Sequence, residues 1–173
     1  MKRSIFIVCL LILSLVARGN ETVEHSFNDA AGTTLTWKNS DYSIGYMSDG
    51  TIYTCRGGAN VKFVNKAEAG GICIDMRAYG DSVIISPAKR GLQEMNIYHY
   101  PSSAVTMQVA VSTDSISWSP VSSTQKTGFV EVTGLNGNYF VKLKRTGGSE
   151  FYITGITYTL SDPCPNCFPV VAP

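Results

Sequence analysis

Two histidines, a scatter of carboxylates and an unusual supply of aromatic rings are the side chains with chemistry to offer. His25 falls in a polar N-terminal stretch and His99 lies between Tyr98 and Tyr100 before Pro101. Neither stands by a Gly-x-Ser-x-Gly elbow or a His-Glu-x-x-His helix, so both read as surface or strand-edge histidines, too few for a His-based metal site. A glycosidase-type carboxylate pair would have to be assembled from distant strands, with Asp75 and Glu94 as its example. Solvated or turn carboxylates are the simpler reading, and Asp114 is expected to cap its own turn through an Asx hydrogen bond. Arg56-Gly57-Gly58 lacks the strand, helix and lysine of a phosphate loop. No catalytic constellation emerges.

The rings are more informative. Trp37, Tyr42, Tyr46, Tyr53, Tyr98, Tyr100, Trp118, Tyr139, Phe140, Phe151, Tyr152 and Tyr158 crowd a short chain. An aromatic face stacks on the C–H surface of a sugar while nearby polar groups fix its orientation. Trp37, Tyr42 and Tyr46 cluster within ten residues in a turn-rich stretch where side chains can stay exposed, and are the first candidates for a ligand-binding platform. If Trp37 is core, the face is to be sought among Tyr98, Tyr100 and Phe140. Trp118, just after the Asp114 turn, reads as core.

The elements that must carry these rings are short and β-rich. Runs are expected at Leu35-Thr36-Trp37, Tyr42 to Tyr46, Thr51 to Thr54, Val61 to Val64, Gly71 to Met76 and Ser82 to Ser86. Further runs follow at Gln93 to Tyr98, Val105 to Ser112, Phe129 to Val132, Tyr139 to Lys144 and Glu150 to Leu160. Val105, Met107, Val109 and Val111 share one face of a half-buried strand, and Tyr139, Val141 and Leu143 repeat the pattern. Apolar parity changes across Gly155, where a bulge would restore one face. Asn136-Gly137 is the strongest hairpin signal. No segment longer than a couple of turns has a helical period, which predicts one all-β domain of antiparallel sandwich type.

Lys2 and Arg3 precede the apolar stretch Ile5 to Val16, and Ala17-Arg18-Gly19 offers a cleavage site before Asn20. Residues 1–19 therefore read as a secretory signal peptide, too short for a membrane span, and localisation is expected to be secreted or cell-surface. Residues 20–160 form the module, and 161–173, with four prolines in thirteen residues, a tail or truncated linker. Removing Lys2, Arg3 and Arg18 from the 14 basic residues leaves 11 against 13 acidic, a net −2 that is no nucleic-acid footprint. Of five cysteines, Cys9 leaves with the leader. Cys55, Cys73, Cys164 and Cys167 remain, an even number for an oxidising compartment, and local pairing is favoured. Cys164 and Cys167 read as a structural clip, while Cys55 and Cys73 form either a second disulfide or two buried thiols.

Three segments in order, "VIISPAKRGLQEMNIYHY", "VTMQVAVSTDSISWSPV" and "YFVKLKRTGGSEFYITGITYTL", resemble the jelly-roll modules of secreted Bacteroidetes proteins of cleaved-adhesin and choice-of-anchor type. They also look like the N-terminal non-catalytic module of some pectate-lyase-like polysaccharide enzymes. Ser86-Pro87 matches the strand end, and Ser112, Asp114 and Trp118 the following turn, with Ser115 where glycine is usual. Thr154 and Gly155 stand where acidic residues are expected, which leaves calcium without support, and no cofactor is expected. The resemblance implies a jelly-roll (galactose-binding-like) sandwich. Together with the rings it predicts a secreted, non-catalytic module whose partner is a polysaccharide or cell-surface glycan. The alternatives are the front end of a pectate-lyase-like enzyme and a structural adhesin or surface-assembly domain.

Overall fold

The computed structural model describes residues 20–29, 42–56 and 61–161. Twelve strands run through them: β1 (Glu21–Ser26), β2 (Tyr42–Tyr46), β3 (Ile52–Arg56), β4 (Val61–Lys66), β5 (Gly71–Met76), β6 (Ser82–Tyr100), β7 (Thr106–Ser112), β8 (Ser119–Val121), β9 (Thr124–Lys126), β10 (Phe129–Val132), β11 (Gly137–Gly147) and β12 (Phe151–Leu160). Every pairing is antiparallel. Among the described residues two single 3-10 turns, Phe27–Asp29 and Ala67–Ala69, interrupt the strands, and no helix is long and apolar enough to cross a membrane.

The architecture turns on β6, a strand of 19 residues. Its first half lies between β3 and β11, in a layer ordered β2-β3-β6-β11-β7-β8. Its second half lies between β12 and β10, in a layer where β12 carries both β5 and β1 on its far edge, with β4 beyond β5 and β9 beyond β10. The two layers share one core. Tyr53, Val83, Ile85, Val109, Val141 and Leu143 come from the first of these layers, and Phe63, Ile74, Ile97, Val130, Ile156 and Tyr158 from the other. Inward and outward residues alternate along the strands, as an antiparallel sandwich requires.

Several expectations are corrected by this arrangement. Ser82–Ser86 and Gln93–Tyr98 belong to one strand, because the chain passes Pro87 and Gly91 without leaving the ladder. The polar stretch holding His25 is strand β1, whose inward positions are Val23 and His25. Asn136-Gly137 makes no hairpin: β10 and β11 both pair with β6, in different layers, so the turn crosses between them. The Gly155 bulge is present, as a register shift between Ile153 and Gly155. A Cβ there would meet the His25 carbonyl oxygen at 2.9 Å, so glycine lets β1 close against the bulge. The Leu35 to Trp37 run lies outside the described residues.

Candidate functional site: two outer sheet faces

We call the layer of β1, β4, β5, β9, β10, β12 and the second half of β6 the tyrosine layer, and the other the lysine layer. On the outside of the tyrosine layer the register aligns Ser26, Gly155, Tyr98, Phe129 and Lys126 in one row across five strands. The adjacent row is Glu24, Thr157, Asn96, Glu131 and Thr124. Tyr98 and Tyr100, both outward on β6, are each 39% exposed. The Tyr98 ring is braced by Phe129, with centroids 5.7 Å apart. Beside it lies a depression of about 270 Å³ lined by Glu24, Ser26, Tyr98, Thr154, Gly155 and neighbours. A ring held by a second ring, next to two hydroxyls and a carboxylate, offers a stacking surface together with donors and acceptors for hydroxyl groups.

Near Tyr98, Glu131 is paired with Lys126 at 3.4 Å, and Glu24 and Glu94 add negative charge. Level with Tyr100 the row continues through Tyr152 and Asp75 to Lys62. The Asn96 amide donates to Glu94 at 3.4 Å, while its buried carbonyl oxygen has no partner.

The outer face of the lysine layer is built differently. Thr54, Ile84, Lys142, Ala110 and Pro120 form one row, and Phe140 faces Ser112 in the next. Thr54, Ile84, Ser86, Ser115 and Phe140 line a depression of about 180 Å³. One wall is the turn after β7, where the Asp114 carboxylate accepts from the Ile116 and Ser117 amides, each at 2.8 Å, and from the Ser112 hydroxyl. Those hydrogen bonds pull its pKa down to about 2. Ser115 has φ +61°, the left-handed conformation for which glycine is the usual choice. Trp118 is not core. It is half-buried beneath the Lys142 ammonium, which lies 4.5 Å from its ring centroid.

Buried polar groups between the layers account for His25. It is 2% exposed, with Nδ1 2.7 Å from the Tyr53 hydroxyl and Nε2 3.0 Å from Asp49. Lys89 reaches the same carboxylate at 3.3 Å, bonds to Thr51, and lies over the Tyr158 ring. Burial raises the Asp49 pKa, but hydrogen bonds from His25 and Thr51 and the Lys89 charge outweigh it and hold the carboxyl well below the usual range. His99 is also buried: Nδ1 donates to the Pro101 carbonyl at 2.8 Å and Nε2 accepts from Gln125 at 2.8 Å. That pattern fixes a neutral imidazole, whose pKa burial lowers. Neither histidine is at the surface, though each is the next-to-last residue of its strand, β1 or β6, so of the surface or strand-edge reading only the second half holds.

The remaining sequence candidates sort as follows. Trp37, Cys164 and Cys167 lie outside the described residues. Tyr42 and Tyr46 begin and end edge strand β2, opposite Cys55 and Ile52, and their side chains lie outside the description. Cys73 is a buried free thiol, not half of a disulfide. Its strand β5 pairs with β4 and β12, whereas Cys55 sits on β3 opposite Val83 in the other layer, so the two are not ladder neighbours. Burial, with the charge of Asp75, pushes the Cys73 thiol up to about 12.

Asp75 and Glu94 do not form a catalytic pair. Asp75 is buried and held by Arg77 at 2.7 Å. Register places it level with Tyr100, six residues along β6 from Glu94, roughly 20 Å and far beyond glycosidase spacing. Among the described residues no three His, Cys, Asp or Glu side chains gather as a metal would need. The tyrosine face, which the sequence held only in reserve, was signalled by the alternation of Tyr98 and Tyr100 with Ile97 and His99.

No family model and no curated protein matches the sequence. Among solved structures the fold is similar to CsCBM6-3 from Clostridium stercorarium, solved in complex with cellobiose, at 17% identity and TM-score 0.45, covering 80% of this chain and 93% of that one. It is also similar to the isomalto-dextranase of Arthrobacter globiformis T6 complexed with panose, at 14% identity and TM-score 0.42, where 82% of this chain covers 33% of that one. At these values neither likeness bears on what this chain binds.

Proposed function

We propose that the chain is a secreted, non-catalytic carbohydrate-binding module whose primary platform is Tyr98 on the outside of the tyrosine layer. The observation that carries this reading is the Tyr98 ring, 39% exposed and braced by Phe129 at the edge of a hollow lined by Glu24, Ser26 and Thr154. The Glu24 carboxylate in that hollow disfavours polyanions beside Tyr98, so the ligand class is a neutral polysaccharide. In this reading residues 1–19 are the signal peptide, 20–160 the binding module and 161–173 a linker. N-terminal sequencing of exported protein tests the leader, and a chain starting at or before residue 10 overturns it.

Affinity electrophoresis in gels containing β-glucan, xylan or galactomannan tests the platform. Tyr98→Ala is expected to keep the wild-type melting temperature and lose about ten- to hundredfold in affinity for whichever glycan retards the protein. Wild-type mobility across the panel overturns the proposal. Loss of retardation in Trp37→Ala but not in Tyr98→Ala overturns it too, and moves the platform to Trp37, Tyr42 and Tyr46.

A further inference from the structure

Tyr98 does not stand alone on its face. Of the described large apolar residues left exposed, Tyr98 and Tyr100 are the two that belong to the tyrosine layer, and they are equally exposed, at 39% each. Alternation along β6 turns both outward, with Ile97 and His99 inward and about 7 Å of strand between the two tyrosines. β12 runs alongside with one residue more: Gly155 pairs with Tyr98 and Tyr152 with Tyr100, and between them Ile153 pairs with His99 while Thr154 is skipped. The skipped residue lines the hollow, and on β12 it lies between the Tyr98 row and the Tyr100 row.

Beside Tyr100 the charges are engaged with one another. Its register neighbour Tyr152 is buried, donates its hydroxyl to Glu150 and lies under the Lys66 ammonium, 5.0 Å from its ring centroid. Arg77 stands between Asp75 at 2.7 Å and Glu150 at 3.6 Å. What Tyr100 offers a ligand is therefore its ring. A hollow of about 270 Å³ takes one sugar ring, and the rest of a polysaccharide has to lie on the open sheet. Among the described residues the further ring exposed there is Tyr100. We infer that the tyrosine layer reads an extended stretch of a neutral chain laid along β6, with one sugar at Tyr98 and its hollow and a neighbouring sugar stacked on Tyr100. The inference rests on the carbohydrate-binding reading and sharpens it: the ligand is a run of linked sugars, not a lone terminal residue.

The experiment titrates the isotope-labelled full chain with cello-, xylo- and manno-oligosaccharides from the single sugar to the hexasaccharide, following backbone amide shifts. The single sugar of the series that binds is expected to move Ser26, Thr154, Gly155 and Tyr98. Longer members should move Tyr100 and Tyr152 as well, with affinity rising about tenfold or more from the single sugar to the hexasaccharide. Tyr100→Ala, an outward position, should keep the fold by its amide spectrum, bind the single sugar as wild type does and lose about tenfold in affinity for the hexasaccharide. Tyr100→Phe, which keeps the ring, should bind like wild type, and Tyr98→Ala should lose both. Affinity that does not grow with chain length overturns the inference and leaves the Tyr98 platform standing, as does equal hexasaccharide binding by Tyr100→Ala. So does a bound hexasaccharide that leaves Tyr100 and Tyr152 unmoved in the wild-type protein, whatever Tyr100→Ala does to the fold. No shift with any member of the three series overturns the platform and the inference together.

Discussion

His25, Asp49 and Lys89 place a charged group at the end of a core otherwise made of aliphatic and aromatic side chains. Asp49 has its pKa depressed in the folded state, so its contribution to stability is full above the unfolded carboxylate range, near pH 4, and is lost as the pH falls through the folded value. His99, neutral and buried, acts in the same direction from about pH 6.5 downward, because the unfolded chain takes up a proton that the folded chain resists. Asp75 and Asp81, raised by burial, oppose this trend at low pH. The melting temperature should therefore fall on acidification, and Asp49→Asn should flatten the fall between about pH 4 and pH 2 relative to wild type. Parallel curves for the two proteins would show that Asp49 is not held ionised. Cys73 gives a second check at this scale: with its thiol at about 12 and no exposed surface, it should react with a thiol reagent only after denaturant is added.

Strand periodicity was the most legible feature of the sequence, since it depends only on alternation and burial. Val109 and Val111 lie inward on β7 as their spacing requires, and Val109→Asp should cost several kcal/mol by burying an unpaired carboxylate, about enough to unfold a marginal domain. Gln108→Asp, on an exposed position of the same strand, should melt near wild type, and equal loss in both would reverse the assigned faces. Gly155 was legible as a bulge, but its reason was not: the constraint comes from the His25 carbonyl of β1, more than a hundred residues away in sequence. Gly155→Ala should lower stability by about 1–3 kcal/mol through that close approach, measurable by urea denaturation. β1 itself was hidden because one of its inward residues is a histidine, whose burial is compensated by Tyr53 and Asp49, partners that no local pattern could show. Trp118 misled for the converse reason, as a large ring left half-buried because a lysine from β11 covers it.

At the scale of the molecule, the candidate site was only partly readable, because aromatic content says nothing about which layer a ring faces. The sequence put forward the Trp37, Tyr42 and Tyr46 cluster, whereas the described rings with exposed area and a hollow beside them are Tyr98 on one face and, half-buried, Phe140 on the other. What separates these two faces is β6, whose halves belong to different layers, so that alternation along one continuous strand presents Tyr98 outward at one end and Ile84 and Ser86 outward at the other. The pairing of β1 with β12 has a consequence in time. Glu21 to Ser26 find their partners only at Leu160 to Gly155, so a chain emerging from the ribosome holds β1 unpaired until those residues have been made. Neighbouring segments such as β4 and β5 can zip early, but the layer that carries Tyr98 stays open along β1 until β12 has emerged. Completion of this fold therefore waits on β12, and a chain ending before residue 155 would leave β1 with nothing to join.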